Sequence, residues 1–374
     1  MRPTPCKERA SRDTLPRMHR KSFVAFFLFL FATAALAQTS NDAKIRELEA
    51  FVETQMTAQQ MTGLSVAIVD GDFRWSRGFG FADLENHVPA TAESSYRMAS
   101  VSKPMTAIAI LKLADEGKLD LDAEVQTYVP YFPRKKFPIT VRQLLAHQGG
   151  ISHYHDYMTE GRIREPKNTR EAIAIFADWD LVAEPGTKYS YTSYGYNLLG
   201  AVIEEITKQP YGAYMTENVW KPLGMDATRM DDPRAIIAHR VDGYVLEDDG
   251  KLRRSEYVDV SSRFGGGGSR ATVHDMVRLF EGLDEGKVLK QATRAIAWKP
   301  MPTRDGKPTN YGLGFGIEDY KGQAVIAHTG SQQETRTSLT MIPSAHVVIA
   351  LASNFENAEL EPIRQKLLEL FAGN

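Results

Sequence analysis

Hydrophobic positions along this 374-residue chain follow strand spacing near both ends and mostly helical spacing between them. Ile45, Leu48, Phe51, Val52 and Met56 recur at the helical period and predict a helix over 41–62. The apolar runs 64–69 and 73–81, joined by Asp70-Gly71-Asp72, predict a β-hairpin. Residues 104–113 are almost all apolar, so that helix is expected to be buried on most sides, with Pro104 tolerated in its first turn and Gly117 ending it. Helices are predicted over 139–147 (begun by Thr140), 169–179, 194–207, 211–219, 272–283 and 291–298. A hairpin around Asp248-Asp249-Gly250 is predicted from 240–246 and 252–258. Towards the end, 311–317, 324–328, 338–342 and 347–352 read as strands, and 360–371 as an amphipathic helix.

Strands at both ends with helices between them predict an α+β fold. The terminal segments form one antiparallel sheet of five or more strands, covered by the first and last helices, with a mainly helical inserted lobe. The sheet lobe takes about 41–98 and 300–374, and the helical lobe about 99–299. A cleft between the lobes would draw its residues from distant parts of the chain.

The first residues change this picture. Met18-His19-Arg20-Lys21 is basic, 22–36 is apolar, and Ala35-Leu36-Ala37 is a small-x-small pattern, the layout of a secretory signal peptide over 1–37. Residues 38–374 then form a single exported domain, periplasmic or secreted. Removing the seven basic and two acidic residues of 1–37 leaves 38 basic and 45 acidic, a net charge of −7, which argues against a nucleic-acid partner. The single cysteine, Cys6, falls in the leader, so the exported domain has no disulfide and no thiolate nucleophile. No later stretch is long and apolar enough for stable membrane insertion.

Chemistry enters at Ser100-Val101-Ser102-Lys103. Residues three apart on a helix share a face, so the Ser100 hydroxyl and the Lys103 amine would lie side by side. A serine needs a neighbouring base to become a nucleophile, and a lysine becomes one near neutral pH only if burial lowers its pKa. The spacing alone is common. Two further stretches follow it, Tyr191-Thr192-Ser193 and His328-Thr329-Gly330, beginning 91 and 228 residues after Ser100.

With these three motifs in order, the chain resembles the serine β-lactamase and penicillin-binding-protein superfamily. The closer resemblance is to the branch of class C β-lactamases, D-alanyl-D-alanine carboxypeptidases, related esterases and the mitochondrial β-lactamase-like protease. The flanks agree: Tyr96-Arg97-Met98-Ala99, Leu144-Leu145-Ala146-His147-Gln148-Gly149-Gly150-Ile151, Pro185-Gly186-Thr187 and Asn197-Leu198-Leu199-Gly200. It extends from about Ala43 to the C-terminus and implies a β-lactamase/transpeptidase-like fold without cofactor or metal.

The resemblance implies that Ser100 attacks a carbonyl to give an acyl-enzyme, with Lys103 and Tyr191 sharing the proton transfers. A tyrosine can act as base only if a nearby cation favours its phenolate, a charge that Lys103 could supply, so either Lys103 or Tyr191 takes the Ser100 proton. The backbone N–H groups of Ser100 and Ser331 are implied as the oxyanion hole. His328, Thr329 and Gly330 edge the site, and Gly330 is expected to let the substrate approach closely. Two residues depart from the family pattern. His328 replaces a lysine, and can be neutral or charged near pH 7, which weakens recognition of the substrate carboxylate of penicillins and peptide C-termini. Ser193 replaces an asparagine whose amide both donates and accepts. The expected function is hydrolysis of amide or ester bonds in a small-molecule or peptide substrate. The alternatives are a β-lactamase and a non-catalytic cell-wall peptide sensor on the same scaffold. His153-Tyr154-His155-Asp156 reads as solvated loop rather than a metal site, Gly265–Gly268 as a place where the chain turns beside the site, and Arg336 as a solvent-facing strand arginine.

Overall fold

The computed structural model describes residues 41–373. The predicted signal peptide and Cys6 lie outside the described residues. The chain divides into two compact units, 1–50 and 51–374. In the first, residues 41–50 are helical; everything below concerns the second.

The sheet has seven strands, all antiparallel: β1 (Gly63–Asp70), β2 (Phe73–Asp83), β3 (Val88–Pro89), β4 (Gly316–Tyr320), β5 (Gln323–Gln332), β6 (Thr335–Ile342) and β7 (Val347–Ser353), in the order β3-β2-β1-β7-β6-β5-β4. N- and C-terminal strands meet in its middle, Leu64 opposite Ser353 and Asp70 opposite Val347. β1 and β7 are buried along nearly their whole length, so the sheet is covered on both faces.

The apolar run becomes helix α1 (Ser102–Asp115), with Pro104 in its first turn. It packs against α2 (Ser193–Thr207). Helix α3 (Val273–Asp284) packs on β1 and β7, as does the C-terminal helix α4 (Glu361–Phe371) on β7. The assignment of 272–283 to the helical lobe is therefore corrected: its apolar stripe is buried on the sheet. Among the described residues no helix is long and apolar enough to cross a membrane.

Several boundaries move, each for a local reason. The strand expected over 311–317 is instead β4, because Gly314 takes a positive φ and the chain turns back through a single bridge between Tyr311 and Gly316. The helix expected over 139–147 is Val141–Leu145, capped by Thr140 and Gln143 and stopped before His147, whose φ is also positive. That expected over 169–179 ends at Ala174. The one expected over 211–219 is helical only for Tyr211–Met215 before a π turn, Thr216–Trp220. The second hairpin pairs only Tyr244–Leu246 with Leu252–Arg254.

Candidate active site

Ser100 sits in a 3₁₀ turn, Ala99–Val101, that leads directly into α1. The first N–H groups of such a turn have no partner within it, which leaves donors near the hydroxyl. Ala99 has a φ of 47°, an uncommon conformation for a residue with a side chain. Such strain persists only where its surroundings hold it. Here they do. Arg97 Nε donates to Asp231 Oδ2 at 2.6 Å, Met98 N to Ser269 O at 2.9 Å, Thr335 Oγ1 to Arg97 O at 3.0 Å and Thr337 Oγ1 to Met98 O at 2.9 Å.

Gly330 seats this turn on β5. A Cβ there would lie 2.2 Å from Thr337 Oγ1, 2.5 Å from Met98 O and 3.1 Å from Ala99 Cβ. The close approach that Gly330 permits in this structure is by the protein's own Ser100 turn. Gly330→Ala is expected to cost about 1–3 kcal/mol of stability and to lower turnover, because the turn must be pushed off the strand. Denaturant unfolding and ester hydrolysis measured on the same variant check both.

Lys103 is wholly buried under Ser100. Its Nζ donates to Ser100 Oγ at 2.9 Å, to Ser193 Oγ at 3.1 Å and to Gly266 O at 2.8 Å. Burial, and next the Arg263 charge, bring its pKa down to about 7. All three partners are neutral oxygens, so nothing ionic holds the ammonium form. Ser193, though shorter than an asparagine, still reaches the lysine.

The carbonyl that receives Lys103 comes from the glycine run, which forms a short helix, Phe264–Gly267. It lies against α2 so closely that a Cβ on Gly265 would meet Tyr196 O at 2.3 Å and one on Gly266 would meet Ser193 O at 2.9 Å. Bare backbone is what fits there.

Tyr191 lines the cleft beside Ser100, and burial drives its phenol well above the ordinary value. Lys103 Nζ lies over the ring, 4.9 Å from its centroid, and the phenol stays protonated. His147 backs the ring, with centroids 4.2 Å apart, and its own pKa is pushed far down by burial.

His328 does not border the cleft. It is buried beneath it, and burial, then Lys103, push its pKa down to about 3. Nδ1 lies 2.7 Å from Thr329 O, which can only accept, so Nδ1 carries the proton and Nε2 accepts from the Tyr311 hydroxyl at 3.0 Å. The residue is a neutral hydrogen-bonded link at pH 7.

A cleft of about 290 Å³ gathers Ser100, Tyr191, Ser193, Thr329 and Ser331 from three distant stretches of the sequence. His153, Tyr154, Arg263 and Gln332 border the same cleft, and of these Arg263 and Gln332 carry no local signal. The 151–165 loop is thus not simply solvated. His153 Nδ1 accepts from Ser193 N at 3.3 Å, and burial lowers its pKa to about 4. His155 stacks on Trp179 and Asp156 caps a short helix; among the described residues, the three do not converge as metal ligands. Arg336 is half-buried rather than solvent-facing, its guanidinium donating to Gln332 O and Thr335 O.

Comparison with known proteins adds the following. Residues 48–372 match the family model described as Beta-lactamase. The chain is 28% identical over 381 residues to serine beta-lactamase-like protein LACTB, mitochondrial, of Bos taurus, covering 75% of this chain and 68% of that protein. It is 25% identical over 346 residues to penicillin-binding protein 4* of Bacillus subtilis (strain 168), covering 87% and 75%. The octameric penicillin-binding protein homologue from Pyrococcus abyssi is similar in fold, with a TM-score of 0.77 at 24% identity over 88% of this chain and 78% of that one. So is the D-amino acid amidase from Ochrobactrum anthropi SV3, with a TM-score of 0.77 at 22% identity over 90% and 99%.

Proposed function

Because this chain belongs to the Beta-lactamase family, with the fold of serine hydrolases of amidase and peptidase type, we propose that it is an exported acyl-transfer enzyme hydrolysing amide or ester bonds through an acyl-enzyme on Ser100. The observation that carries this reading is the buried Lys103 amine 2.9 Å from the Ser100 hydroxyl, with a pKa near 7.

Neutral Lys103 takes the Ser100 proton as Oγ attacks the substrate carbonyl. The N–H groups of Ser100 and Ser331 receive the oxyanion, a kind of contact worth roughly two to three powers of ten per donor. The protonated Tyr191 hydroxyl, which lines the cleft with Ser100, passes a proton to the leaving group, and Lys103 replaces it. Loss of the leaving group gives the ester on Ser100. A water molecule attacks the ester as it gives its proton to Lys103, and Lys103 returns that proton to Ser100 Oγ as the acid leaves. Export is supported by the basic, apolar and small-residue pattern of 18–37.

Intact mass spectrometry of the mature protein with p-nitrophenyl esters, a D-Ala-D-Ala peptide and β-lactams tests this. The expected result is a transient acyl adduct on Ser100 with esters or peptide and release of product. Rapid nitrocefin turnover would select the β-lactamase alternative, and a stable adduct without turnover the sensor.

A further inference from the structure

Arg263 borders the cleft that holds Ser100 and is 5% exposed. Its Nη1 donates to the side-chain oxygens of Gln332 at 3.1 Å and Gln333 at 3.2 Å, and its Nη2 to Gly161 O. Every one of these partners is neutral. Its Nε is buried and has no partner among the described residues. Nor does any carboxylate there pair with it or border the cleft. The acid nearest in the network, Glu160, spends its oxygens on the Tyr194 hydroxyl and the backbone amides of His155 and Asp156.

A buried charge is costly unless an opposite charge meets it. The other basic groups around the site are neutral near pH 7 or partly so: His153 and His328 titrate far below it, and Lys103 near it. The cleft therefore holds one permanent cation and no anion.

Its place along the strand decides which part of a substrate it faces. Gly330, in the middle of the C-terminal half of β5, carries the Ser100 turn. His328, where the family pattern has a lysine, lies two residues to one side and is neutral. Gln332, which Arg263 grips, lies two residues to the other, and its Nε2 donates to Gly267 O at 3.2 Å, tying that end to the glycine run. At about 3.3 Å per residue, the two ends stand roughly 13 Å apart. The positive charge has moved to the side of the nucleophile opposite position 328.

We infer that Arg263 forms a subsite for a carboxylate on the acyl part of the substrate, so that the enzyme prefers acyl groups ending in an acid, such as a dicarboxylic half-ester or an acidic acyl side chain. The inference rests on the acyl-enzyme reading above and adds the charge and side of the group bound.

The test compares the mono-p-nitrophenyl ester of glutaric acid with p-nitrophenyl valerate, which have the same leaving group and nearly the same acyl length. The wild-type protein is expected to favour the glutarate ester at least about tenfold in kcat/KM at low salt. In Arg263→Met the ratio is expected to fall to about one or below, and in Arg263→Lys to remain partly. A wild-type ratio of one or less, or a ratio kept in folded Arg263→Met, overturns the inference while the acyl-enzyme reading stands. If Arg263→Met does not fold, the wild-type ratio and that of Arg263→Lys decide. Absence of Ser100-dependent turnover of both esters overturns the reading itself, and the subsite with it.

Discussion

Ser100→Ala is expected to lower kcat/KM by at least about four powers of ten and to abolish labelling by an activated acyl probe. Removing a nucleophile in a unit that acts together costs about as much as removing the whole unit, because nothing else can form the covalent intermediate. The donors at residues 100 and 331 remain and account for any residual rate. Folding should be little changed. Ser100 is only partly buried, and without its hydroxyl Lys103 keeps Ser193 Oγ and Gly266 O. A thermal melt within a few degrees of wild type, together with the loss of labelling, is the expected pair of results. Undiminished labelling of the variant would remove Ser100 from the reaction.

The second large effect concerns Lys103. At its ordinary pKa of about 10.4, roughly one lysine in three thousand would be neutral at pH 7. With the pKa lowered to about 7, first by burial and then by Arg263, about half are. Only the neutral amine can accept the Ser100 proton. Acylation should therefore rise about tenfold per pH unit below pH 7 and level off above it. His153 in the cleft, and His147 and His328 buried behind it, are already neutral across that range, so they add no limb there. Lys103→Met fits the buried space without charge and should cost roughly two to four powers of ten, with the limb near pH 7 gone. A flat wild-type profile from pH 5 to 9, or a methionine variant near the wild-type rate, would exclude Lys103 as the base.

Much of this was legible in the chain. The two terminal sets of strands, the buried run 104–113 and the capped helices carry local periodicity, and the sheet pairs them as expected. Ser100 and Lys103 are three residues apart, so helix geometry alone brings them together. The boundaries that moved did so where a positive φ at His147 or Gly314 broke a run that looked continuous. Arg263 and Gln332 were illegible because a buried arginine in a loop looks like a solvated one until its partners, 69 and 70 residues away, are in place.

By itself, then, the sequence determined the kind of chemistry on offer: a serine, a lysine and a tyrosine in a recognisable order, on an α+β framework with an apolar helix behind them. The tertiary structure alone decided the ionisation of those groups. Lys103 is poised near pH 7, Tyr191 stays protonated and His328 stays neutral because burial strips water from charged forms, and burial is a property of the packed chain. It also decided that Gly330 serves the nucleophile's own turn, and that the cleft's permanent cation is Arg263, on the opposite side of Ser100 from position 328. Proximity and dielectric depend on residues hundreds of positions apart, which no local pattern encodes.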